Sequence, residues 1–161
     1  MGNVFDGGDG RSLYLSNGGT EVFVDVLMLA VSDLAATPWH FRFASLVTLQ
    51  DQNMMGRGTV GFSLEDIDWS PSPEQAREFV LRAIDLALTG HRRDELGYDP
   101  PHVDHYLRDF RDLVAAFRAP DEPRDQGEFP GPEEALVASC VRHRLLSGLP
   151  HWDGCLLCVR P

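Results

Sequence analysis

All three cysteines of this 161-residue chain lie within its last 22 residues, and a histidine lies among them. They form two pairs of candidate ligands, Cys140-x2-His143 and Cys155-x2-Cys158, with eleven residues between the pairs. Two ligands spaced two residues apart can be directed by a single turn of the chain at one ion, about 2.0 to 2.3 Å away. Gly154 permits a tight turn immediately before Cys155. The sequence therefore predicts a zinc site with Cys140, His143, Cys155 and Cys158 as ligands.

The identity of the fourth ligand and the presence of the metal are both open from the sequence. His151 also lies between the cysteine pairs and is the alternative to His143. The alternatives to zinc are buried, metal-free cysteines and a disulfide or redox pair between Cys155 and Cys158. Because four protein ligands leave no position for water, we expect a closed zinc site that stabilises the fold rather than a catalytic one.

Composition divides the chain into three parts. Residues 1–118 carry the apolar patterns of an α+β body. Residues 119–132 are rich in proline, glycine and acidic side chains, a composition typical of a linker or surface loop. Residues 133–161 hold a predicted short helix, from Glu133 to about His143, and then the remaining candidate ligands. We interpret this last part as a zinc-binding tail built from a helix and a metal-binding knuckle.

Strand patterns dominate the first half of the body. After a loose N-terminus of ten residues, Asn17-Gly18-Gly19 favours a tight hairpin turn between two strands. Apolar and polar residues alternate from Trp39 to Leu49 and again from Thr59 to Leu64, which predicts two antiparallel strands. For Thr20–Ala36 a largely buried helix competes with a strand, and the valines favour a strand in its first half. We expect an antiparallel sheet of three to four strands.

Two amphipathic helices are predicted after the strands. Ser72 and Pro73 are typical of a helix start, Gln75 completes a capping box, and Gly90 marks the end. The apolar stripes of the two helices are Ala76, Phe79, Val80, Ala83, Ile84 and Ala87 in the first, and Val103, Tyr106, Leu107, Phe110, Leu113, Val114 and Phe117 in the second. Each helix has one face to bury, and the sheet offers an apolar surface. The predicted fold is therefore an α+β sandwich of sheet and two helices.

The charge of the chain restricts its partners. There are 25 acidic residues against 14 basic ones, all of them arginine, so the formal net charge is −11. Such a chain repels polyphosphate, which disfavours nucleic acid as a partner and favours a basic protein. Arg142, Arg144 and Arg160 form a local positive patch near the predicted zinc site. An alternative hypothesis is therefore a zinc-containing, transcription-associated regulator whose tail contacts nucleic acid.

The leading hypothesis is a non-enzymatic, zinc-stabilised protein-interaction module, such as an inhibitor, an immunity protein or an accessory protein. The other alternative is a metal- or histidine-dependent enzyme that uses His102, His105 and Asp109, which share a polar flank of the second predicted helix. The sequence has neither a run of 18 apolar residues nor a charged segment followed by an apolar one. We therefore expect no membrane span and a cytoplasmic location. The oligomeric state does not follow from the sequence.

Overall fold

The protein is described here from a computed structural model, which covers residues 2–50, 61–119, 129–131, 138–140, 142–147 and 157–158. The described elements, in chain order, are β1 (Gly2–Asp6), β2 (Ser12–Ser16), α1 (Asn17–Leu34), α2 (Pro38–Thr48), α3 (Pro73–Leu88), α4 (Val103–Ala116), β3 (Ala138–Ser139) and β4 (Leu146–Ser147). Short 3-10 turns lie at Leu64–Asp66 and Arg93–Leu96. Helices therefore make up most of the described body.

The predicted sheet of three to four strands is wrong, because two of its members are helices. Asn17–Leu34 forms α1, which packs against α2, α3 and α4 and is buried on nearly all sides from Phe23 to Val31. The Asn17-Gly18-Gly19 segment is the first turn of this helix rather than a hairpin turn, since the Ser16 hydroxyl accepts a hydrogen bond from the Gly19 amide at 3.0 Å. Burial on every side overrides the strand preference of its valines.

The second misassigned strand, Trp39–Leu49, is the helix α2. Its start is fixed by a capping box in which Thr37 and His40 exchange side-chain and backbone hydrogen bonds, with Pro38 in the first turn. Its buried side chains are Trp39, Phe43, Ala44, Ser45, Leu46, Val47 and Thr48. Trp39, Phe43 and Leu46 are spaced by four and three residues, so they satisfy the helical period as well as part of the alternating one. The third predicted strand, Thr59–Leu64, is described from residue 61 onward, and Leu64 begins a 3-10 turn there.

The strand that the sequence did not predict is β1, which forms an N-terminal hairpin with β2, the strand predicted before Asn17-Gly18-Gly19. β1 pairs antiparallel with β2, with Val4 opposite Tyr14 and Phe5 opposite Leu13. The chain reverses between them through a loop in which the Gly7 amide donates to the Arg11 carbonyl at 2.9 Å. Gly2–Asp6 are thus a strand, not part of a loose terminus, and one face of the hairpin enters the core.

The two predicted amphipathic helices are confirmed as α3 and α4. All six residues of the predicted α3 stripe are buried, as are all of the α4 stripe except Tyr106, which is half-buried. Ser72 precedes α3 without a side-chain cap hydrogen bond, so the predicted capping box does not form. A central aromatic cluster connects the N-terminal hairpin with the helices. Five ring pairs among Phe5, Phe23, Phe62 and Phe110 have centroids between 5.0 and 6.1 Å apart.

The predicted linker, residues 119–132, falls mostly outside the described residues. Its described part includes Phe129, which is buried against Trp39 at 5.8 Å between ring centroids. The Arg42 guanidinium lies 4.5 Å above the Phe129 ring, and its Nε donates to the Pro130 carbonyl at 2.8 Å. This part of the segment is therefore packed on α2. Within the described ranges, no helix is both long enough and apolar enough to cross a membrane.

Candidate metal centre

Three of the four predicted ligands lie together. The Cys140 Sγ is 3.7 Å from the Cys158 Sγ and 3.7 Å from the His143 Nδ1, and the Cys158 Sγ is 3.2 Å from the same nitrogen. All three donor atoms lie within 4.8 Å of one another, close enough to hold one metal ion. The fourth predicted ligand, Cys155, lies outside the described residues, and so does His151, the alternative to His143.

The first ligand pair is positioned by a tight hairpin instead of the predicted helix. The described part of the predicted Glu133–His143 helix, residues 138–140 and 142–143, contains β3 and a turn. Ala138 pairs with Ser147, and Ser139 pairs with Leu146. Hydrogen bonds from the Cys140 amide to the Leu145 carbonyl at 2.9 Å and from the Arg144 amide to the Cys140 carbonyl at 2.6 Å close the turn.

Backbone conformation at one residue makes this turn possible. Arg144 has a φ of 55°, in the left-handed region, which non-glycine residues rarely adopt. The chain can therefore reverse within the four residues that follow Cys140. The result is that Cys140 and His143 present their side chains to the same point, which is the outcome that the Cys-x2-His spacing predicts, reached through a turn and not through a helix.

The ligand hairpin is attached to the helical body by buried contacts. Leu145 is 1% exposed and belongs to the main core. The backbone amide of Leu146 donates to the Ser32 hydroxyl near the end of α1 at 3.0 Å. The guanidinium of Arg92 donates from Nη2 to the carbonyl oxygen of His143, a metal-ligand candidate. The position of the candidate ligands therefore depends on contacts with α1 and with the turn after α3.

Arg92 is the electrostatic centre of this attachment. Its side chain is only 9% exposed, and it pairs with Glu95 and with Asp33, whose Oδ1 lies 3.2 Å from Nη1. The hydrogen bond to Glu95 raises the pKa of Arg92, and the same hydrogen bond lowers the pKa of the Glu95 carboxyl. His91 also reaches Asp33, at 2.6 Å. This network holds the charged side chain of Arg92 against the metal-site hairpin, which is formed by β3, β4 and the turn between them.

Sequence reasoning missed the role of Arg92. Because Arg92 and Arg93 follow the first predicted amphipathic helix, the sequence predicts that both complement its C-terminal end. Arg93 does this, because its Nη2 donates to the Ala87 carbonyl at 2.7 Å. Arg92 instead points toward a residue 51 positions later in the chain. No local pattern in the sequence connects two residues at that separation.

The three residues of the enzyme hypothesis, His102, His105 and Asp109, do not converge as the metal-ligand candidates do. His102 precedes α4 with a φ of 61° and is exposed. His105 Nε2 lies 3.3 Å from the Asp109 Oδ2 on the outer face of α4, and the His105 side chain is 75% exposed. Asp104 is engaged by Arg93. The described residues thus place this group on an open helix surface, and they do not bring its three side chains to one metal-binding point.

Of the positive patch near the metal site, Arg142 and Arg144 are exposed, and Arg160 lies outside the described residues.

No protein-family model matches the chain, and no curated protein or solved structure is significantly similar to it.

Proposed function

We propose that this protein is a non-enzymatic interaction module in which a zinc ion stabilises the C-terminal tail and a basic protein is the partner. The observation that carries the proposal is the convergence of Cys140, His143 and Cys158 on one point next to the body. Two thiolates and one imidazole are a donor set that favours zinc over hard cations such as magnesium or calcium.

The separations of the donor atoms support a tetrahedral ion. Zinc with bonds of about 2.3 Å to sulfur and about 2.0 Å to nitrogen holds two sulfurs about 3.8 Å apart, and a sulfur and a nitrogen about 3.5 Å apart. The corresponding separations here are 3.7 Å for the two sulfurs, and 3.7 and 3.2 Å for sulfur to nitrogen. With Cys155 as the fourth ligand, the coordination shell is complete, and the zinc is structural.

The negative net charge of the chain supports a basic partner. The described arginines that form ion pairs with aspartate or glutamate are Arg11, Arg42, Arg92, Arg93 and Arg111. Six solvent-accessible carboxylates take part in neither an ion pair nor a side-chain hydrogen bond within the described part of the chain: Asp66, Glu74, Glu78, Asp94, Asp99 and Asp112. The described part also has six arginines that form no ion pair: Arg77, Arg82, Arg108, Arg118, Arg142 and Arg144. The support is therefore the net charge of the chain, −11, which accelerates association with a positive surface.

The experiment captures partners from an extract of the source organism and measures their association rates at low and high salt. We expect a stoichiometric complex with a basic protein whose association rate constant falls about tenfold between 50 and 500 mM salt. Converting the six carboxylates to amides changes the formal charge from −11 to −5. This variant should associate more slowly and dissociate at an unchanged rate.

A matched control changes the charge in the opposite direction. Arg108→Gln and Arg118→Gln alter two exposed side chains and make the formal charge −13. Association should become faster in this variant. An acidic or neutral partner, or an association rate that does not respond to salt or to either variant, would contradict the proposed function.

A further inference from the structure

A cleft of about 450 Å³ lies where the first turn of α2 meets the first turn of α3. Its walls include Trp39, His40 and Arg42 from α2, Gln75 and Ala76 from α3, and Pro71, which lies just before α3. It is separate from the described part of the candidate metal centre, since Cys140, His143 and Cys158 do not line it. Its volume falls in the range of small-molecule sites, about 300 to 1,000 Å³.

The apolar walls of the cleft are held in place by stacking. The Trp39 ring lies parallel to Phe43, with centroids 5.6 Å apart, and its indole Nε1 donates to the Asp68 carbonyl at 2.6 Å. The His40 ring lies flat on Phe79, with centroids 3.6 Å apart. Trp39 is 8% exposed and His40 is half-buried, so a ligand ring meets the accessible part of each ring in an orientation that is already fixed, which lowers the entropic cost of binding.

Two of the polar side chains that line the cleft, His40 and Arg42, offer hydrogen-bond donors to a ligand. His40 Nδ1 already accepts the backbone amides of Ala36, at 2.9 Å, and Thr37, at 3.2 Å. The neutral imidazole consequently carries its proton on Nε2 and has only a donor left. Arg42 is a donor at every nitrogen, and only its Nε is used by the Pro130 carbonyl. A ligand that complements this lining has acceptor oxygens.

The charges around the cleft favour an anionic ligand of low charge. Arg42 lines the cleft, and the positive charge of Arg82 acts on His40, another lining residue. Asp68 offsets Arg42 only partly, because its Oδ2 is 3.7 Å from Nη2 and its Oδ1 accepts hydrogen bonds from the amide and hydroxyl of Ser70. One carboxylate suits this balance.

We propose that this cleft binds a small aromatic carboxylate, with its ring against Trp39 and Pro71 and its carboxylate at Arg42 and His40. The proposal is independent of the interaction with a basic protein and of the zinc ion.

The test is an NMR titration of the full-length, ¹⁵N-labelled protein with benzoate, using the neutral isostere benzamide as the matched ligand. Benzoate should shift the Trp39 indole N–H signal in a saturable manner and bind at least about tenfold more tightly than benzamide, since only benzoate brings a negative charge to the Arg42 guanidinium. Arg42→Gln is a poor probe because Arg42 also holds Phe129 and Pro130. Gln75→Glu is better, because Gln75 is exposed and occupies the first turn of α3, where glutamate suits the helix.

Gln75→Glu should weaken benzoate binding about fivefold through repulsion between the two carboxylates. Arg108→Gln changes the net charge of the protein by the same amount on the exposed surface of α4 and should leave benzoate affinity unchanged. The proposal is overturned if 20 mM benzoate, about twentyfold above a millimolar dissociation constant, leaves the Trp39 signal in place. Equal binding of benzamide, or equal effects of the two substitutions, overturns it as well.

Discussion

Single residues in this protein combine local and long-range roles. His40 caps α2 by accepting two backbone amides, and it also stacks on Phe79 of α3. Burial is the larger cause that lowers the pKa of His40 below 6.5, and the positive charge of Arg82 lowers it further. A neutral imidazole is required for both amides to donate to Nδ1, so capping and protonation of His40 exclude each other.

This exclusion predicts a pH dependence of stability. The unfolded chain binds a proton at His40 near pH 6.5, whereas the folded chain binds it only at lower pH. The contribution of His40 to folding is therefore present above pH 6.5 and is lost as the pH falls from there through the lowered pKa. In His40→Gln the amide oxygen can still cap α2 without titrating. Urea unfolding at pH 7.5, 6.5 and 5.5 should show a steeper loss in wild type than in His40→Gln; parallel profiles would contradict this.

At the scale of elements, burial and helix capping decided whether a segment formed a strand or a helix, and residue composition did not. The phenylalanines and valines of α1 and α2 favour strands by propensity, and their spacing fits either period over short distances. α1 became a helix because Ser16 caps it and because α2, α3 and α4 surround it. By contrast, α3 and α4 were correctly predicted because their apolar stripes are narrow and their other faces are charged.

The packing of the hairpin against the following segment gives a prediction at this scale. A Cβ at Gly61 would lie 1.9 Å from the Val4 carbonyl oxygen of β1, and Gly61 has a φ of 95°. Gly61→Ala should therefore destabilise the fold by more than about 3 kcal/mol, through the clash and the strained backbone. Gly18→Ala is the matched control, since a Cβ there, in the first turn of α1, meets nothing within 4 Å. It should stabilise by about 0.5 kcal/mol. Thermal unfolding of both variants measures the difference, and similar melting temperatures would refute it.

At the scale of the whole molecule, the metal-site hairpin is held by the body from one side and by the proposed ion from the other. Leu145 and the hydrogen bonds of Ser32 and Arg92 supply the first attachment. Cys140 is only partly buried where it packs against the core, and Cys158 is exposed, so most of the packing among α1 to α4 does not depend on the metal. Binding free energy of the ion is then folding free energy of the tail alone.

This separation predicts a local effect when the metal is lost. Cys155→Ser should reduce zinc from about one ion per chain to about 0.1 or less. Trypsin should then cleave after Arg142 or Arg144, while the helical circular dichroism of the body stays within about 10% of wild type. Elemental analysis of protein purified without added metal measures the ion. His151→Ala is the control for the alternative ligand set and should keep its zinc. A full zinc content in Cys155→Ser would refute the ligand assignment.

The sequence by itself determined the features that depend on short spacings. These are the convergence of Cys140, His143 and Cys158, three of the four predicted ligands, and the amphipathic stripes of α3 and α4. Only the tertiary structure decided that α1 and α2 are helices, that the first residues pair as a hairpin, and that Arg92 supports His143. The physical reason is that a single turn or helical face is specified by residues within a few positions of one another. Burial on all sides, and contacts between residues dozens of positions apart, exist only once the whole chain has packed.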